Sequence, residues 1–439
     1  MNVRIHSGLT CVAISLLFVA CGRTTEERAG ESSFVTVSGT QFIDPAGNPL
    51  ILHGVNVVNK NKDEGYIGSL GQSDFDAIRR WGMNCVRLGI LWDGLEPEPG
   101  RIDEAYLERV VRLVAAAKAE GLHVLLDMHQ DLYSVKFSDG APVWATLDEG
   151  KRHTPGAVWS DAYYASEAVQ TALDHFWANS PGPDGVGLQD HYARVWQSVA
   201  RRFAGEPAVI GYDLMNEPFP GEDGRRGREA GIAALLQLLA KREGTRAPAP
   251  EKIGEMFAAP EARKQVTAWL GDLTLFTAMV DAAGPVMQDF ERTRLMPMYT
   301  RVARAIREVD TRHILFLESA MSSNVGVPSV IEPLTDEQGN RDPRQAYAPH
   351  AYDIVTDTDS IDLHSNQRVD LILRRHAEAA ERLQMPVLIG EWGAYYLNAG
   401  AVEPARYMTR QFDRLRFSDT YWSYEPQLGQ SPLLAALRR

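Results

Sequence analysis

Short apolar runs recur along this chain, and most are separated by stretches whose apolar residues repeat at helical spacing. The runs at 51–57, 84–88, 123–128, 209–214, 313–317, 345–350, 387–390 and 419–422 read as strands. Residues 74–81 read as a helix that stops at Gly82, a residue suited to the left-handed turn that closes a helix. Residues 104–120 repeat apolar positions at Leu107, Val110, Val111 and Val114 and stop at Gly121. Further helical patterns cover 191–203, 294–309, 369–383 and 405–417. This alternation predicts parallel βα units in an α/β fold, closed into a (β/α)8 TIM barrel within 34–439. Ahead of the first unit, Phe34-Val35-Thr36-Val37 and Gln41-Phe42-Ile43 flank Ser38-Gly39-Thr40, which predicts an N-terminal β-hairpin.

Two spans interrupt the rhythm. Residues 219–291 are too many for a simple βα loop. They hold amphipathic runs at 232–239 and 266–270, with Pro248 and Pro250 between, and predict a helical insertion after strand four. That insertion either reaches the substrate or is a structural elaboration. Residues 318–344 lack a helical pattern and read as a long loop.

The first 20 residues follow another rule. Arg4 gives a positive start, 11–18 an apolar core too short to span a bilayer, and Val19-Ala20-Cys21 a small-residue cleavage site. A cysteine at that place resembles a bacterial lipoprotein signal. The resemblance implies lipidation of Cys21, export, and anchoring to a membrane, either the outer membrane or the cell surface. An ordinary secretory signal is the alternative. Residues 21–33 are polar and read as a flexible tether. With Cys11 removed and Cys21 acylated, Cys85 is left as a packed core thiol. No disulfide framework is expected, so stability must come from a large core.

The formal net charge of −13 argues against a nucleic-acid partner. No G-x-S-x-G elbow, phosphate-binding loop or dinucleotide fingerprint is present, and no cofactor is expected. His129 lies between Asp127 and Asp131, but without a recognised ligand spacing, so no metal is expected and the aspartates read as loop-fixing acceptors.

The chemistry gathers where the apolar runs end. Arg87 closes the second run, His129 the third, Asn216 and Glu217 the fourth, and His350 the sixth, with Tyr352 just after it. Glu391 closes the seventh and Trp422 the eighth. A parallel barrel presents catalytic groups at the carboxyl ends of its strands, so Glu217 and Glu391 are expected to converge. Paired carboxyl groups are what glycosidic bond cleavage requires. Taken singly, Arg87 also fits a structural ion pair and Trp422 a core aromatic. Trp92, Trp144 and Trp177 fit either a cleft wall or packing.

The set Arg87, His129, Asn216-Glu217, His350-Ala351-Tyr352, Glu391 and Trp422 resembles glycoside hydrolase family 5, over about 34–422. Within it, the segments starting at Asp127-Met128-His129-Gln130, Asp139-Gly140-Ala141-Pro142, Asn216-Glu217-Pro218-Phe219 and Gly390-Glu391-Trp392-Gly393 resemble endoglycoceramidases, with related β-glucosidase-like branches sharing parts of them. The resemblance implies a retaining β-glycosidase with Glu217 as acid/base and Glu391 as nucleophile. It implies that Arg87 and Tyr352 support Glu391, that Asn216 meets the sugar 2-hydroxyl, and that His129 and His350 bind hydroxyls or orient the carboxyls. Trp422 would floor a sugar ring. The implied substrate is a glycolipid cut between glucose and a lipid aglycone. A soluble β-glucan, or sugar binding without catalysis, are the alternatives. Many endoglycoceramidases continue into a β-sandwich, for which no room is expected after Trp422.

Overall fold

The computed structural model describes residues 33–244, 260–358 and 360–439. The signal expected over 1–20, Cys21 with nearly all of the tether, and Pro248 and Pro250 lie outside the described residues.

The chain enters through β1 (Thr36–Ser38), β2 (Gln41–Ile43) and β3 (Pro49–Leu50), an antiparallel three-stranded sheet. Ser38 pairs with Gln41 across Gly39, whose φ of 56° is left-handed. The hairpin is where the sequence places it; β3 is too short to carry a pattern of its own. This sheet plugs one end of the barrel. Phe42 stacks on Phe316 at 5.8 Å, and Cys85, Leu125, Ile210 and Ile314 join the same apolar cluster.

Eight parallel strands follow: β4 (His53–Val57), β5 (Cys85–Leu91), β6 (His123–His129), β7 (Val209–Asp213), β8 (Ile314–Leu317), β9 (Gln345–Tyr347), β10 (Leu388–Ile389) and β11 (Ser418–Tyr421). They pair in chain order, and β11 returns to β4. A parallel bridge from Tyr347 to Val387 brings β9 to the start of β10 and nearly closes the cylinder. Every residue of β5 and β7 is buried, as expected for strands covered on both faces.

Two strand ends differ from the sequence reading by three residues, the others by one or two at most. β5 runs on through Gly89, Ile90 and Leu91, so Arg87 sits in mid-strand inside the barrel rather than at its end. β9 stops at Tyr347, so His350 lies beyond the strand, after Pro349. Proline cannot donate to a ladder, which is reason enough for the strand to end there.

The longer helices among the described residues are α1 (Gln72–Arg80), α2 (Glu104–Ala119), α3 (Glu167–Trp177), α4 (Leu188–Phe203), α5 (Glu222–Glu243), α6 (Pro260–Trp269), α7 (Leu273–Phe290), α8 (Met296–Arg307), α9 (Asn366–Leu383) and α10 (Val402–Leu415). α3 has no counterpart among the helices read from sequence. The described residues of the 219–291 span are mostly helical: α5, α6 and α7 pack through Leu235, Val266, Leu270, Phe276 and Val280, joined by Val327 and Leu371. A single π-helical turn, Glu291–Leu295, joins α7 to α8. The buried Glu291 carboxylate accepts the Ala320 N–H at 3.0 Å and the Ser329 hydroxyl at 3.1 Å, which anchors the loop after β8. Among the described residues, no helix is long and apolar enough to cross a membrane.

Candidate active site

At the carboxyl ends of the strands, one buried guanidinium organises the floor. Arg87 is fully buried and surrounded by acceptors. Its Nε donates to Asp213 at 2.9 Å, Nη1 to Glu391 Oε1 at 2.8 Å and to Asn56 at 3.0 Å. Its Nη2 donates to Asn216 and to Glu318, both at 2.9 Å, and pairs with Asp127 at 3.0 Å. A planar fork with five N–H donors is the side chain suited to bind so many acceptors at once. Burial alone would lower its pKa, but Asp127, Asp213, Glu391 and Glu318 hold it well above the usual range. Arg87 is therefore a permanent cation, and it holds one oxygen of Glu391.

The other Glu391 oxygen accepts from the Tyr352 hydroxyl at 3.0 Å. Glu217 Oε1 faces His350 Nδ1 at 2.8 Å and accepts from Asn324 Nδ2 at 2.7 Å. The backbone of Glu217 is left-handed, with φ of 45°, an uncommon state for a residue with a Cβ and a frequent mark of functional sites. Carboxyl oxygens of Glu217 and Glu391 lie within 4.8 Å of each other and of a His350 ring nitrogen. Burial pushes Glu391 up to about 8; His350 and Arg87 pull it down, and Glu217 pushes it up further. Two carboxyls so close do not both ionise freely, so the pair shares a proton. The donors from Arg87 and Tyr352 mark Glu391 as the anionic partner. Burial opposes charge on His350, yet Glu318 and Glu391 raise it well above the ordinary histidine range, so its ring is doubly protonated.

His129 stacks on Trp422, with ring centres 5.3 Å apart and planes 13° apart. Its Nδ1 meets Asp127 Oδ2 at 2.8 Å. Burial and then the Lys60 charge push its pKa well below the usual value, so the ring is neutral. Asp127 thus binds both His129 and Arg87, more than the loop-fixing acceptor read from sequence. Asn216 receives Arg87 on Oδ1 and donates Nδ2 to the Gln130 carbonyl at 3.0 Å, which leaves one amide hydrogen for a ligand.

All eight residues singled out from the strand ends, Arg87 through Trp422, are therefore brought to one end of the barrel. Trp92 and Trp177 are not cleft walls. Both are buried, donating to Glu96 and to the Phe219 carbonyl respectively, each at 2.8 Å. Missed by sequence reasoning are Asn56, Lys60, Asp139, Asp213, Glu318 and Asn324. Asn56 and Asp213 had a signal: they are polar positions inside apolar strands, which demand buried partners.

Two trios of metal-ligand type converge, His129 with Asp131 and Asp139, and Glu217 with His350 and Glu391. The first already holds a cation. Lys60 bonds Asp131, lies 3.7 Å from Asp139, and sits 4.8 Å from the centre of the Trp422 ring. A cleft of about 510 Å³ borders Ala351 and Gly393, the neighbours in sequence of Tyr352 and Trp392. Trp159 and Tyr396 stand exposed on its rim, and both donate to Asp357, at 2.8 and 2.7 Å.

Known proteins share this arrangement of chain. The family model for cellulase (glycosyl hydrolase family 5) matches residues 43–428. Endoglycoceramidase I of Rhodococcus hoagii (strain 103S) is 38% identical over 187 residues, which are 42% of this chain and 36% of that protein. This chain spans less than half the length of the curated relatives it matches. Endo-glycoceramidase II from Rhodococcus sp., solved with a five-membered iminocyclitol, is similar with a TM-score of 0.67 and 27% identity, covering 92% of this chain and 80% of that one. The same protein solved as a lactosyl–enzyme intermediate gives a TM-score of 0.66 and 26% identity over 92% and 80% of the two chains.

Proposed function

This chain belongs to glycosyl hydrolase family 5, the cellulase family, and from that premise we propose that it is a retaining β-glycosidase that cleaves the bond between a glucose-based glycan and a lipid aglycone. The observation that carries the reading is the approach of Glu217 and Glu391 within 4.8 Å. Retaining pairs stand about 5–5.5 Å apart, too close for a water between them and the sugar.

In the first step Glu391 attacks the anomeric carbon while the Glu217 proton passes to the glycosidic oxygen. The carbon–oxygen bond breaks, the aglycone leaves as an alcohol, and the sugar is bound to Glu391 as an ester. In the second step Glu217 takes a proton from water, the hydroxide attacks the same carbon, and Glu391 leaves as a carboxylate. Arg87 and Tyr352 hold the nucleophile. Asn216 meets the 2-hydroxyl, His129 and Lys60 face the sugar hydroxyls, and Trp422 floors the ring.

The lipid aglycone is supported by the endoglycoceramidase relatives and by the exposed aromatic rim of Trp159 and Tyr396. The test incubates glucosylceramide, lactosylceramide and soluble β-glucan with wild type, Glu217→Gln and Glu391→Gln. Release of intact glycan from the ceramides by wild type alone is the expected result. Cleavage of glucan with ceramides untouched transfers the reading to a glucanase, and no cleavage of any substrate leaves a sugar binder.

The small-residue site ahead of Cys21 further supports a lipoprotein-type anchor that would hold the enzyme at a membrane carrying its substrate. Fatty-acid labelling of wild type and Cys21→Ser tests this. Label on both proteins, or on neither, ends it.

A further inference from the structure

Glu318 follows β8 directly and has no place in the reaction as written above, yet it meets Arg87, His350 and the backbone of Glu217 at once. One oxygen, Oε1, accepts Arg87 Nη2 at 2.9 Å and faces His350 Nε2 at 3.1 Å. The other, Oε2, accepts the backbone N–H of Glu217 at 2.8 Å. Its own carbonyl accepts the Tyr299 hydroxyl at 3.1 Å, which ties it to α8. The side chain is 1% exposed and closed to bulk water.

Two N–H groups donate to the two oxygens and His350 Nε2 stands beside them, which marks Glu318 as an acceptor, and the imidazole links it to the catalytic pair. Nε2 lies 3.1 Å from Glu318 Oε1, and the doubly protonated ring carries its second hydrogen on Nδ1. That hydrogen points at Glu217 Oε1, which also accepts Asn324 Nδ2. Oε1 is thereby supplied with two donors, and a proton on Glu217 belongs on Oε2. The Glu318 bond to the Glu217 backbone acts on the same side chain from the other end, since it holds the left-handed φ of 45° that aims the carboxyl.

We propose that Glu318 is a positioning residue for acid catalysis: through the backbone of Glu217 and the ring of His350, it fixes which oxygen of Glu217 carries the proton handed to the leaving group. The inference rests on the reading of Glu217 as the acid. The groups that face Glu318 are Arg87 from β5, Asp213 from β7, Glu217 after β7 and His350 after β9. Burial pushes its carboxyl up to about 8, and His350 and Arg87 draw it down while Asp213 raises it. Its neutral amide analogue keeps the shape but cannot oblige His350 to present Nδ1–H.

A merely structural Glu318 would affect all substrates alike, whereas an acid-positioning one affects only those that need a proton. The experiment measures kcat/KM of Glu318→Gln on two β-glucosides, one with an alkyl leaving group and one with 2,4-dinitrophenolate, which departs without help. The expected loss is on the order of 100-fold for the alkyl glucoside and close to none for the dinitrophenyl one. Equal losses on both, or full activity on the alkyl substrate, overturn the proposal. Trapping of Glu391 by a 2-deoxy-2-fluoroglucoside with the same activated leaving group reports whether the variant site is folded. If Glu318→Gln does not trap, Glu318→Asp, which keeps the charge but shortens the reach to Glu217 and His350, carries the same test with the same leaving-group signature. Wild type that cleaves neither glucoside overturns the glycosidase reading itself, and the proposal with it.

Discussion

On β5, Cys85 and Arg87 point to the same side of the sheet, two residues apart, into different worlds. Cys85 joins Phe42, Leu125, Ile314 and Phe316 in the apolar plug at the N-terminal end. Arg87 joins Asp127, Asp213, Glu318 and Glu391 at the other. The plug gains free energy simply by leaving water. The charged end loses hydration and recovers it only through paired, hydrogen-bonded partners. One barrel therefore keeps its stability at one end and its chemistry at the other, and the two ends should respond to mutation in opposite ways.

The largest effect belongs to the charged end. Glu391→Gln removes the carboxylate proposed as nucleophile but keeps its volume and most of its hydrogen bonds. The expected loss of kcat is on the order of 10⁴-fold or more, with a melting temperature unchanged or raised, because an amide has no charge to bury. A variant that melts far below wild type would mean that Glu391 holds the fold together, and the contrast would fail.

The plug should give the reverse. Phe42 is 2% exposed and stacked on Phe316. Phe42→Ala is expected to cost about 3–5 kcal/mol in urea unfolding, with kcat of the folded fraction unchanged. A matching fall in kcat would show that the two ends are coupled through the strands.

The same contrast explains what could be read without coordinates. The plug and the strands announce themselves through apolar patterns that need only neighbours in sequence. Glu217 and Glu391 are legible because Asn-Glu-Pro and Glu-Trp-Gly mark strand ends. Glu318 also closes an apolar run, the fifth, but only Ser319 and Ala320 follow it, with no motif like Asn-Glu-Pro or Glu-Trp-Gly to set it apart. Its meaning comes from Arg87, Glu217 and His350, which reach it from other strands. Lys60 is invisible for the same reason, since its partners Asp131 and Asp139 belong to the loop after β6. The helical insertion was legible as amphipathic runs, but its junction with the barrel was not. Only the backbone reveals that α7 passes into α8 through one π-helical turn with Glu291 buried at its start.

Acid–base behaviour offers a finer probe of the charged end. Burial, offset by His350 and Arg87, leaves Glu391 and its close partner with an upper step at about 8. Above that step the pair loses the proton required for departure of the aglycone. The expected profile of kcat/KM falls about tenfold per pH unit on the alkaline side, beginning near pH 8. An alkaline limb that appears only above pH 10 would assign the fall to another group.

The smallest effect is also the most specific, because it uses stability to read the charge at one end only. In the unfolded chain a glutamate titrates at about 4.3; in the folded protein the pair that includes Glu391 keeps its shared proton up to about 8. A raised acid binds its proton more tightly when folded. Its contribution is therefore fully present below the unfolded value and is lost as pH rises through the folded one. Over that window the slope is about 1.4 kcal/mol per pH unit. Other groups titrate in the same range: burial lowers His129 and His376, which makes the fold gain stability as pH rises through the ordinary histidine range. Subtracting wild type from Glu391→Gln removes those shared terms. The difference in unfolding free energy should grow in favour of Glu391→Gln from pH 5 to pH 8 and then level off. The corresponding difference for Phe42→Ala, which touches no titrating group, should stay constant across the same range. A flat line for both variants would mean that no proton is held at the paired glutamates, and the electrostatic distinction between the two ends of the barrel would be lost.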